Sequence, residues 1–258
     1  MSTWTFNSVL KGALCGALFM VSACGGAGPR TGGGTQPSPR EVSVTSDQLV
    51  VTGPDGFCID PSGTRDRQTT AFVLLGNCAV IANSRGQDQP DVNAVLTASV
   101  SDADPAQTLR AAIPDLDVFF RSEQGLSLLS RSSNPTSVEV LDSFHQGDVY
   151  FVQASDSSQG IVGGLNAEFW RAYQDIGARI VTLSVLSFED QPVSTEVSLQ
   201  MLRAFSVAIA DANLTSAVAL TSVGSASPTV DISQPLSTES RPSDGTLWNV
   251  GLFRRILR

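Results

Sequence analysis

The chain has 258 residues, with 25 acidic side chains against 16 basic ones and a formal charge of −9. Phosphate backbones are held by clustered bases, so this balance excludes nucleic acid as a partner. There is one lysine, Lys11, and one histidine, His145, which excludes His-rich zinc sites.

The first 24 residues contain no acid and a single base. An apolar or small stretch over 12–21 follows Lys11 and is too short to cross a bilayer as a stable helix. It ends in Val21-Ser22-Ala23-Cys24, giving the layout of a secretory signal: positive start, apolar middle, small residues at the cut. The tetrapeptide resembles the bacterial lipobox. That resemblance implies that 1–23 is a leader, cut off before Cys24, and that Cys24 carries lipid and makes the bilayer a partner. Several acyl chains on one cysteine give stable anchoring. Gly25 stands where an aspartate would mark inner-membrane retention, so the resemblance implies the periplasmic face of the outer membrane.

Residues 24–40 read as a tether, since 25–39 hold six glycines, three prolines and no apolar residue larger than alanine. One domain follows over 41–223, long enough to bury a proper core. Of the four cysteines, Cys15 lies in the leader and Cys24 takes the lipid. Cys58 and Cys78 remain, in adjacent predicted strands, and in an oxidising envelope they are expected to pair. No Cys-x-x-Cys and no nearby base supports a redox role instead.

Residues 42–52 predict one extended run, closed by the turn residues Gly53-Pro54-Asp55-Gly56. Phe57-Cys58-Ile59 is a short strand. The almost wholly apolar 71–82 predicts a strand buried on both faces, bulged at Gly76. A further strand covers 92–100. Asp104-Pro105 has the chemistry of a helix start, with a stop near Pro114. Helical spacing resumes from Asp115, and Gly125 interrupts it. Residues 138–141 and 149–152 predict a hairpin around a loop from Asp142 to Asp148, and 168–173 pairs with 180–186 through Gly177. Val181, Leu183 and Val185 alternate with polar residues, as in a half-buried strand. Residues 194–213 predict a helix with Ser194 as cap and Leu199, Leu202, Phe205 and Ile209 along one stripe. An extended segment over 215–223 is expected to complete the domain.

This order gives an α+β sandwich, an antiparallel sheet with helices packed against it. At the level of element order it resembles sandwich domains of the Mog1/PsbP-like type. The run from Gly53 to Pro61, with the later Arg179-Ile180-Val181-Thr182-Leu183, is similar to envelope lipoproteins of alphaproteobacterial type. Neither resemblance brings a catalytic residue.

Loss of Lys11 with the leader excludes Schiff-base chemistry, Ser–Lys dyads and P-loop nucleotide sites. A Ser-His-Asp arrangement has only Asp142, Ser143, His145 and Asp148 to draw on, with no Gly-x-Ser-x-Gly elbow. Asp102 with Asp104, Asp115 with Asp117, and Glu189 with Asp190 are candidate carboxylate pairs, each explained more simply by caps and turns. A calcium site at Asp102 and Asp104 lacks the ligand pattern of an EF-hand. No catalytic residue, metal site or cofactor is therefore expected.

Residues 224–246 form a Ser/Thr/Pro-rich linker, and 247–258 regain apolar and basic character. On a helical projection Trp248, Leu252, Phe253 and Ile256 share an arc with Val250 and Leu257, opposite Arg254, Arg255 and Arg258. Two expectations stand: docking on an anionic membrane or in a partner's groove, or folding back on the acidic domain. The expected function is a non-enzymatic binding or assembly lipoprotein of the envelope, with an envelope protein as partner. Alternatives are a carboxylate- or His145-dependent hydrolase of cell-wall or polysaccharide material, and a small-ligand binder.

Overall fold

A computed structural model describes residues 38–106, 108–158 and 163–223, with side chains as far as Leu214. All lie in one unit, Thr35–Arg258. The chain opens with β1 (Glu41–Val44) and β2 (Leu49–Thr52), then β3 (Phe57–Ile59), β4 (Arg65–Asp66), β5 (Ala71–Asn77), α1 (Cys78–Ile81) and β6 (Ala94–Val100). α2 (Leu109–Phe120), α3 (Glu123–Leu129), β7 (Val138–Gln146), β8 (Val149–Asp156), β9 (Glu168–Ile176), β10 (Arg179–Ser187) and α4 (Thr195–Val223) complete it. The main sheet is antiparallel throughout, in the order β3-β5-β6-β10-β9-β8-β7, with β4 beside β5.

Side chains alternate across this sheet and sort into two cores. Phe151, Trp170, Val181, Leu183 and Val185 pack with α4 and the β1–β2 hairpin. Tyr150, Val152, Phe169 and Tyr173 pack with α2 and α3. The fold is thus the expected α+β sandwich, with a layer on each face. Leu202, Phe205 and Ile209 of α4 are fully buried, and Leu199 packs beside them. With both faces covered, β10 is buried on both, where half-burial was expected; as a middle strand it has no face left for water.

Other expectations are corrected locally. Residues 42–52 are a hairpin because Thr45-Ser46-Asp47-Gln48 carry no apolar residue, and Thr45 and Gln48 turn at φ 64° and 57°. β5 ends at Asn77, whose side chain accepts the Ala79 N–H (2.9 Å) and caps α1, so 71–82 is not one strand. Its burial alternates, and Gly76 pairs in register with Cys58, where a bulge was expected. Asp104 takes the Ala106 N–H in a turn, and the helix starts instead at Leu109. Asp175 on β9 accepts the N–H groups of Leu109 and Arg110 (2.9 and 3.2 Å), favourable charge at a helix N-terminus. α2 passes through exposed Pro114, held by burial of Ala112, Leu116 and Phe120. Residues 142–146 belong to β7, and the hairpin turns on Gly147 (φ +59°) and Asp148. Residues 215–223 continue α4, where an extended segment was expected.

Candidate functional site

On the α2 face, β7 and β8 bring Ser143 and Tyr150 under Asp117 and Arg121, one helical turn apart. The Ser143 hydroxyl donates to Asp117, Arg121 Nε donates to both Asp117 oxygens (3.3 and 3.4 Å), and Arg121 Nη2 reaches Ser143 Oγ (3.4 Å). The bond from Ser143, helped by the Arg121 charge, holds Asp117 below the ordinary 3.8. Tyr150 lies beneath, its ring stacked on Phe120 at 5.5 Å, and burial pushes its phenol up.

The four residues available for a Ser-His-Asp arrangement do not converge. Ser143 is engaged by Asp117. His145, on an exposed position of β7 and not in a tight turn, has Nδ1 3.4 Å from the Gly147 carbonyl. Asp142 accepts the Ser143 backbone N–H (2.8 Å), and Asp148 pairs with Arg110 at the surface. The carboxylate pairs are no closer to a site. Asp115 and Asp117 sit about 200° apart around α2, and only Asp117 meets the sheet. Glu189 and Asp190 are exposed, and Asp102 and Asp104 lie in the connection after β6. Among the described residues no three His, Cys, Asp or Glu side chains are placed to hold a metal.

A second polar cluster escaped sequence reasoning. Asp156, buried at the end of β8, accepts from the Arg131 N–H (2.6 Å), the Ser137 hydroxyl (2.7 Å) and the Ser158 N–H (2.9 Å). Burial pushes its carboxyl up, but these bonds prevail and hold it below 3.8. Buried Arg171 donates to Ser184 Oγ (3.2 Å) and to the Leu128 carbonyl (2.9 Å). Its guanidinium and that of Arg131 stand over the Phe169 ring at 5.1 and 5.5 Å. The available signal was an arginine inside the otherwise apolar run Phe169-Trp170-Arg171-Ala172-Tyr173. The cluster fastens α3 and its exit to the sheet.

Cys58 and Cys78 are joined by a disulfide, with Cα atoms 4.8 Å apart. Cys58 lies on β3 as expected; Cys78, expected within the strand 71–82, begins α1 one residue after β5 ends. The β3–β5 ladder, pairing Cys58 with Gly76, brings them together. Val21, Ser22, Ala23 and Cys24 lie outside the described residues, as do Trp248, Leu252, Phe253, Arg254, Arg255 and Ile256. No helix among the described residues is long and apolar enough to cross a membrane. No protein-family model, no curated protein and no solved structure matches this chain.

Proposed function

We propose that this chain is a lipid-anchored protein of the bacterial envelope, whose folded part is a non-enzymatic binding or assembly domain at the periplasmic face of the outer membrane. The Cys58–Cys78 bridge carries the reading, because structural disulfides persist in oxidising compartments and are rare in the cytosol. The leader ending Val21-Ser22-Ala23-Cys24 supports it independently. So does the engagement of Ser143 and Asp117 with each other and Arg121, which leaves His145 without a nucleophile beside it. The chain enters beside β3, and β7 forms the opposite edge of the sheet, about 29 Å away at six strand spacings. β7, with the α2–α3 layer beside it, is the surface this reading gives to an envelope protein. Intact-mass analysis of protein purified from a bacterial host tests the reading. The expected product begins at acylated Cys24; an intact leader or an unmodified Cys24 overturns it.

A further inference from the structure

The strand edges of this fold differ in character. Along β3 the chain covers its own edge, where the Pro39 carbonyl accepts the Ile59 N–H (2.8 Å). β2 is closed in a similar way, since the Asn213 amide of α4 bonds both the N–H and the carbonyl of Val50 (3.0 and 2.8 Å). At the far side β7 runs for nine residues with β8 as its one neighbour among the described strands. The two-residue turn at Gly147 and Asp148 makes Gln146 and Val149 a hydrogen-bonded pair. By alternation Phe144 and Asp142 also bond to β8, and the backbone groups of His145 and Ser143 point outward. Among the described residues these outward groups meet one partner, the Asp142 carboxylate, which accepts the Ser143 N–H (2.8 Å).

We infer that β7 pairs with β7 of a second copy, antiparallel about a two-fold axis at Phe144, so that two domains share one continuous sheet. This step takes β7 as the contact surface from the reading above and makes no use of the lipid. Residues opposite each other in an antiparallel pair show the same face, so the axis passes beside a residue that meets its own mate. Phe144 is the middle of the regular stretch from Asp142 to Gln146, between the bulge at Leu141 and the turn. With the axis there, all five residues pair. Ser143 then faces the partner's His145, and the reverse, and their outward groups exchange four backbone hydrogen bonds.

The side chains agree with this register. On the α2 face the partner's His145 comes opposite Ser143, whose proton is already given to Asp117. The Ser143 oxygen and the Asp117 carboxylate are both acceptors for an imidazole N–H. On the α4 face the two half-buried Phe144 rings meet at the axis. They extend the stack that Phe144 makes on Phe151, with centroids 5.1 Å apart and planes 18° apart. Asp142 comes opposite the partner's Gln146, so no like charges are opposed. The two Asp142 side chains stand four residues apart along the ladder, about 14 Å, beyond a Debye length of about 10 Å. Because β3 is covered, pairing closes at two copies, where two open edges would give a fibre.

The test uses the leader-free chain 25–258, which keeps the domain unit and has Cys58 and Cys78 as its cysteines. One strand on each side is a small contact, in the class below about 1,200 Å², so sedimentation is read over a concentration series. Monomer should give way to dimer between micromolar and millimolar protein. His145→Pro removes an outward N–H and no bond to β8. It should weaken the dimer more than about tenfold with an unchanged circular dichroism spectrum. The register is read by oxidative crosslinking: a mixture of Asp142→Cys and Gln146→Cys chains should join, and neither variant alone. A monomer at every concentration overturns the inference, as does a folded His145→Pro variant that dimerises undiminished. Single variants that crosslink as readily as the mixture also overturn it. None of these readouts involves Cys24, whose acylation the mass analysis decides separately.

Discussion

Arg179 has one of the most demanding positions in the chain. Its side chain is 4% exposed, and the head donates to Asp47 (2.8 and 3.0 Å), to the Ser101 carbonyl (2.6 Å) and to the Thr69 carbonyl. Replacing it with leucine strands a buried carbonyl and frees the hairpin turn, so Arg179→Leu should cost about 2–4 kcal/mol by urea unfolding. Acid should act in the same direction. The Arg179 bond holds Asp47 below 3.8, and Asp156 is likewise held down. A carboxyl depressed by folding contributes stability that is complete above its unfolded value and lost as pH falls through its folded one. The urea midpoint should therefore drop as pH falls below about 4, and less steeply in Asp156→Asn. His145, by contrast, is exposed at a sheet edge, and His145→Ala should leave the melting temperature unchanged. None of the Arg179 contacts was legible in the sequence, because Asp47 lies 132 residues away and the other partners are backbone carbonyls. Periodicity reports which face a residue takes and not what waits there.

Among the elements, those specified by neighbouring residues were the ones read correctly. The β9–β10 hairpin has an apolar-rich arm before Gly177, which turns at φ +60°, and alternating apolar residues after it. α4 has its own cap and stripe. The start of α2 depends on Asp175, which comes from a strand 66 residues later, and so the local signal at Asp104-Pro105 misled. Gly125 also had a different role from the one expected. It marked an interruption, whereas it lies inside α3 because a Cβ there would come within 2.1 Å of the Phe119 carbonyl and 2.6 Å of Phe120 Cα. Gly125→Ala must push α3 off the end of α2, and a loss of about 1–3 kcal/mol in thermal or urea unfolding is expected. The Cys58–Cys78 loop closes 20 residues, so reduction, or Cys58→Ala with Cys78→Ala, should cost about 3 kcal/mol.

For the molecule as a whole, the layer order came from burial alone: two amphipathic elements on one side, two on the other, and a sheet apolar on both faces. The sites did not follow in the same way. Of the catalytic-looking candidates Ser143 and Asp117 join layers, while His145, Asp142, Asp148, Glu189 and Asp190 lie at the surface. Other layer-joining residues carried no motif. Ser143 ties α2 to β7, Asp156 ties α3 to β8, and Gln174 ties β9 to α4. The pairing of Asn213 with Val50 has a mechanical consequence for a domain pulled from its two ends. Tension between the two ends would run from Glu41 across the β1–β2 ladder to Val50 and straight into α4. Of the large sheet only β3 would share that load, through the Ile59 N–H bonded to the Pro39 carbonyl. Pulled from its termini, the protein should first yield at the hairpin under low force, while the strands between β5 and β7 stay zipped.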